Sequence, residues 1–265
     1  MPEPAATTRV PPRPLTDLAA AIGFLTLLPI GRTWPDGRPP RSVGWYPWVG
    51  WILGGGAGLA VWGHERLHGH LTGTLALLAG VGIVAIWALI TRFLHWDGLA
   101  DSFDGLWGGS TPERRLEIMR DSRIGSFGAA AMLMTALLQV AALTALIEKG
   151  ALWVIVAAPV IARFSIAMAA WELPNARRDG LGLTAMGVPG IYDRAVAGIA
   201  ALALLGFVFS GLPTHTFIWV AGIGFVSGLV VPRLLSKPVG GMTGDLFGAT
   251  VLLVEVCVLL TGVVV

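Results

Sequence analysis

Stretches of about 20 apolar residues recur along this chain, and each is long enough to cross a hydrocarbon core of roughly 30 Å as a helix. Seven read as spans, at about 44–63, 71–94, 125–147, 151–173, 194–211, 216–234 and 246–265. Lipid offers no partner to a bare peptide group, so a run of this kind must satisfy its own backbone as a helix. The expected fold is therefore all-α, a polytopic transmembrane helix bundle. Composition excludes the soluble alternative. Only 13% of the 265 residues are charged and the mean hydropathy is +0.74, whereas soluble domains carry charge on about 25% of positions.

An eighth apolar segment, Leu15 to Ile30, is shorter and ends at Pro29. It reads as a short span, a re-entrant piece or an interfacial helix. Residues 1–14 are proline-rich and lack the charged start and small-residue cleavage site of a secretory signal, so they are expected to form a disordered tail. Residues 15–265 then make one integral membrane domain. Trp45, Trp48, Trp62, Trp153, Trp171 and Trp219 stand near span ends, where the interface favours them. Gly54, Gly55, Gly56 and Gly58 would let another helix approach closely.

The basic residues set the orientation. The loops after residues 30, 94, 173 and 232, with Arg92, hold 13 of them, and the intervening loops hold only Arg66 and Lys149. That asymmetry places the four basic loops in the cytoplasm and the C-terminus outside, in a bacterial inner membrane. The net charge of +2 is too small for a nucleic-acid footprint, and the single cysteine, Cys257, excludes a disulfide or thiolate-metal scaffold. His64, His68 and His70 fall on the outer side and read as a polar turn.

Six of the 16 acidic residues fall between 97 and 121. Asp97, Asp101 and Asp104 stand at i, i+4 and i+7, on one helical face. Three such carboxylates repel one another unless a cation neutralises them, and oxygen-only donors suit Mg²⁺, Mn²⁺ or Ca²⁺. Leu99, Ala100, Phe103, Leu106 and Trp107 surround them with apolar bulk, and the segment follows the preceding span without an evident break. Ionisable groups at such a depth point to function. Arg120 and Arg123 flank Asp121 and offer guanidinium forks to phosphate. Asn175, Arg177 and Arg178 in one loop, and Gly240 through Asp245 in another, are placed to join them. Arg163, well inside a span, needs a partner, and Glu255 is the obvious acid.

These residues resemble the cobalamin synthase family, the adenosylcobinamide-GDP ribazoletransferases. The resemblance rests on His95-Trp96-Asp97-Gly98-Leu99-Ala100-Asp101-Ser102-Phe103-Asp104-Gly105 and on Glu117-Ile118-Met119-Arg120-Asp121-Ser122-Arg123-Ile124-Gly125. It extends to Phe24-Leu25-Thr26, Pro29, Gly180-Leu181-Gly182 and Gly240–Asp245, and so covers nearly the whole chain. It implies a Mg²⁺-dependent membrane transferase that joins α-ribazole, or its 5′-phosphate, to adenosylcobinamide-GDP and releases GMP, late in vitamin B12 assembly. By this resemblance Asp97, Asp101, Asp104 and Asp121 hold metal. Arg120, Arg123, Asn175, Arg177, Thr243 and Asp245 bind substrate. The implied partners are these substrates, the bilayer, and other late cobamide-assembly enzymes or a second copy of the chain.

A more distant similarity is to the CDP-alcohol phosphotransferases of phospholipid synthesis, which supply the alternative function. Asp101, Asp104 and Gly105 match the opening of their motif, and Asp121 falls near its third aspartate. The Ala-Arg pair is absent, and Gly125 stands where that family has its base. The general base is thus left open among Asp97, His95 and Asp245.

Overall fold

A computed structural model describes residues 13–31, 42–177, 190–209 and 214–265. Among them every regular element is helical, apart from one isolated bridge between Asn175 and Met242. The helices are α1 (Pro14–Leu25), α2 (Tyr46–His68), α3 (Gly73–Ile90), α4 (Leu94–Gly108), α5 (Pro112–Ile118), α6 (Ser126–Glu148), α7 (Leu152–Glu172), α8 (Ile191–Phe209), α9 (Thr214–Ser236) and α10 (Gly244–Val264). Among the described residues, five stretches are long and apolar enough to cross a membrane: α3, α6, α7, Thr216–Val239 and α10. The expected tail (1–14) and the Gly180–Gly182 loop lie almost wholly outside the described residues.

At 12 residues, α1 reaches only about 18 Å, short of the roughly 30 Å core. The helix by itself is therefore not long enough to cross that core. Beyond it, the Leu27 N–H donates to the Ile90 carbonyl at 2.7 Å, tying the chain to the end of α3.

α7 and α10 form the centre of the bundle. Of their spanning windows 78% and 67% is buried, against 33–39% for the other three, which face outward. α2 lies along α7 at backbone distance. A Cβ added at Gly50 or Gly54 would sit 2.5 Å from a carbonyl oxygen of α7, while Gly55 and Gly56 have nothing near. The close packing expected of the glycine run thus belongs to its i, i+4 face, Gly50, Gly54 and Gly58. The span-end tryptophans divide: Trp48, like Trp51, donates to an α8 carbonyl (Val196 and Ala200 respectively) and Trp153 is buried, whereas Trp62 and Trp219 are exposed. At the opposite end from the carboxylates, His70 bridges Glu65 and the Glu148 carbonyl, a polar turn as expected.

Candidate active site

The acidic segment is a separate helix. The sequence led to the expectation of an unbroken run from α3, but α3 stops at Ile90 and the chain turns through Arg92 and Phe93, both left-handed at φ 54° and 56°. Each such residue costs roughly 1–2 kcal/mol. No glycine or proline marks the turn, and apolar residues continue across it, so hydropathy alone could not show it. Thr91 Oγ1 bonds back to the Trp87 carbonyl at 2.8 Å, and the Arg92 guanidinium reaches the Phe24 carbonyl.

Freed from α3, α4 packs sideways on α10 and α6, and glycines set the distance. A Cβ at Gly98 would lie 2.7 Å from the Asp245 carbonyl oxygen, and one at Gly248 3.2 Å from His95 Cα. This contact brings Asp97 and Asp101 beside Asp245, the second residue of α10. Met119, beyond α5, packs over Gly105, where a Cβ would meet its side chain at 2.5 Å.

Asp104 is buried, and its two oxygens accept from the Gly125 and Gly128 N–H groups at 2.7 and 2.9 Å. It therefore caps the N-terminus of α6 from a neighbouring helix, where the positive end of the helix dipole favours an anion. The pairing also requires glycine, because a Cβ at Gly125 or Gly128 would fall 2.4 Å from the carboxylate. Asp104 thus fixes α4 against α6, and further lone pairs remain on each oxygen.

The open carboxylates are Asp97, which is exposed, and the half-buried Asp101 and Asp245. Burial pushes the Asp101 carboxyl up to about 7, and the charges of Asp97, Asp245 and Asp104 push the same way. Arg177 opposes them. Its Nη1 stands 3.4 Å from Asp245 Oδ2, and its Nη2 donates to the Leu116 carbonyl. Thr243 caps α10 by accepting from the Leu246 N–H, and its hydroxyl lies 3.4 Å from Asp245 Oδ2. Asn175 borders the cluster through two backbone bonds joining Pro174 and Ala176 to Met242. These require Gly241, where a Cβ would sit 2.6 Å from the Ala176 nitrogen.

Other expected residues lie apart. Asp121 and Arg123 pair with each other at the surface, at 2.6 Å, and Arg120 occupies the same exposed turn. The Arg123 bonds hold the Asp121 carboxyl down at about 2. His95 is only 3% exposed, and burial, with Arg163 nearby, holds its imidazole well below the usual value. Its ring faces the bundle interior, toward Arg163 and Glu255. Asp193 is buried in the first turn of α8 and accepts from the Gly190 N–H. Sequence reasoning missed Arg115, which donates to the Gly109 and Pro238 carbonyls and joins α5 to the turn before α10. In the sequence it looked only like a topology-setting charge. Among the described residues, no three His, Cys, Asp or Glu side chains converge closely enough to hold a metal by themselves.

Residues 17–263 match the family model described as cobalamin-5-phosphate synthase. The chain belongs to that family. A relative in Syntrophobacter fumaroxidans, named adenosylcobinamide-GDP ribazoletransferase, is 38% identical over 257 residues, covering 90% of this chain and 94% of that protein. Proteins of the same name in Bradyrhizobium diazoefficiens and Chlorobium chlorochromatii are 38% and 37% identical, and each covers 94% of this chain. No solved structure matches it. As a member of the cobalamin-5-phosphate synthase family, the chain has its two motif segments folded around one carboxylate face at one end of the bundle.

Proposed function

We propose that this protein joins α-ribazole, or its 5′-phosphate, to adenosylcobinamide-GDP at the carboxylate face of α4, on the cytoplasmic side of a bacterial inner membrane. The observation that carries the reading is convergence: Asp97 and Asp101 from α4, Asp245 from α10 and Arg177 from the loop after α7 meet at one place. The names of relatives that match over nearly the whole length supply the substrates.

The donor set fits a hard divalent cation. It is oxygen-only, and repulsion among its carboxylates adds to the burial that raises Asp101. Asp97, Asp101 and Asp245 would hold Mg²⁺, with Asp104 behind them. Mg²⁺ sites commonly take one or two carboxylates and complete themselves with substrate phosphates. This accords with a face on which no closed trio forms. When bound, the ion supplies neutralisation of charge on the diphosphate.

In the reaction, a ribose hydroxyl attacks the phosphorus joined to cobinamide. A new O–P bond forms, the P–O bond to GMP breaks, and GMP departs with the electron pair. Asp97, exposed and nearest to open solvent, takes the hydroxyl proton. Arg177 would face the diphosphate, and Arg120 and Arg123, on the turn after α5, would add guanidinium contacts to it. The deciding assay is GMP release from adenosylcobinamide-GDP by purified protein supplied with α-ribazole. No GMP would end this reading. Sidedness is read separately, with cysteines at Ser110 and His68 and an impermeant thiol reagent on intact cells. Labelling at 110 from outside would place the site on the wrong face.

A further inference from the structure

Behind the carboxylate face α3, α4, α6, α7 and α10 line a small cavity. Trp87, Thr91, His95, Gln139, Arg163 and Glu255 line it, and the room for the centre of a water molecule is about 10 Å³. Its polar groups are nearly all committed. Arg163 Nη1 donates to Glu255 Oε1 at 2.7 Å and to the Pro159 carbonyl, and Gln139 Nε2 donates to Glu255 Oε2 at 3.1 Å. His95 Nε2 and Arg163 Nε are the exceptions: both are buried and have no hydrogen-bond partner among the described residues. A buried polar nitrogen left unbonded costs about 1–3 kcal/mol. A polar space of this size takes one water, given two to four polar partners.

We propose that this cavity binds one water molecule bridging His95 Nε2 to the Glu255 carboxylate, and that Glu255 is thereby a positioning residue for the carboxylate face. The reason lies in the break before α4. Two left-handed residues separate α4 from α3, so the rotation of α4 about its axis is set by lateral contacts. Gly98 and Gly248 fix how near α4 comes to α10 but, having no side chains, do not fix its rotation. His95 stands two residues before Asp97 and points a directional group into the bundle. A bridge from it to the Arg163–Glu255 pair locks the turn that carries Asp97.

The catalytic consequence rests on the proposed function, but the bridge itself does not. The test is the double variant Arg163→Met/Glu255→Leu, studied in nanodiscs. Replacing a buried ion pair by apolar groups of similar volume is often neutral or stabilising. A purely structural pair would therefore leave melting, turnover and exchange unchanged. Expected instead are a melting temperature near wild type, an unchanged KM, and a kcat lowered about 10-fold to 10²-fold, the scale of a misplacement of about 1 Å. Backbone hydrogen exchange should quicken at residues 94–101 and nowhere else. That readout survives even if these substrates prove wrong.

His95→Phe, which leaves the ion pair intact, should reproduce both effects should the double variant fail to fold. His95→Gln carries an amide toward the Nε2 position and should recover a larger share of both than His95→Phe. Wild-type kcat and exchange in the double variant, or in His95→Phe, would overturn the bridge. So would equal losses in His95→Phe and His95→Gln.

Discussion

Two charged clusters lie within one bundle, and the protein treats them in opposite ways. In mid-bundle, Arg163 and Glu255 are each almost wholly buried, paired at 2.7 Å, with Gln139 taking the second carboxylate oxygen. At the end of α4, Asp97, Asp101 and Asp245 crowd together, with Arg177 drawn up to 3.4 Å from Asp245. An apolar chain pairs the charges it buries, because an unpaired buried charge is costly. A cluster left over-charged at an accessible edge stores repulsion that a ligand can relieve. Asp104 sits between the two kinds, a motif carboxylate whose present bonds are those of a helix cap.

The comparison breaks most directly at the metal. Removal of divalent cations by chelation and dialysis should abolish turnover while melting and helical circular dichroism persist. Full activity in excess chelator would show the open cluster to be merely solvated. In the closed cluster, Glu255→Leu alone strands the Arg163 charge and should cost about 3–5 kcal/mol of stability. A melting curve like that of wild type would mean that the pair is already solvated.

Asp101→Asn removes one charge from the open cluster while nearly keeping its shape. Turnover should fall by about 10²- to 10³-fold, with stability unchanged or slightly raised as repulsion drops. A loss of stability comparable to that of Glu255→Leu would make the two clusters alike. Gly98→Ala sharpens the same contrast without touching charge. Its Cβ, due 2.7 Å from the Asp245 carbonyl, must push α4 off α10. A loss on the order of 10-fold to 10²-fold in kcat is expected if alignment of Asp97 and Asp101 with Asp245 matters, and none if it does not.

The smallest effect belongs to Asp121–Arg123, a pair at the surface. Exposed ion pairs are worth about 0–1 kcal/mol, so Arg123→Gln should leave melting almost unmoved. Turnover is the informative readout: a clear rise in KM would place Arg123 on substrate phosphate, and an unchanged KM would leave it a local counter-ion.

Much of this molecule is written along the chain. Twenty-residue apolar runs leave a backbone no option in lipid except a helix, so the all-α bundle follows from composition and run length. The aspartate spacing at 97, 101 and 104 puts three carboxylates on one face of any helix containing them, and two dense motif segments carry the family resemblance. The chain could not show which of these aspartates is spoken for. Whether Asp104 caps α6 depends on where Gly125 and Gly128 arrive, and hydrophobic patterning does not encode that placement. The break at Arg92 and Phe93 was equally hidden, since left-handed non-glycine residues leave no mark in composition and are held by tertiary contacts. Packing also decided that Asp245 and Arg177 join Asp101 while Asp121 and Arg123 keep to themselves. Local periodicity fixes which side of a helix a residue occupies. Only the meeting of backbones at Gly98, Gly248 and Gly241 fixes what that side faces.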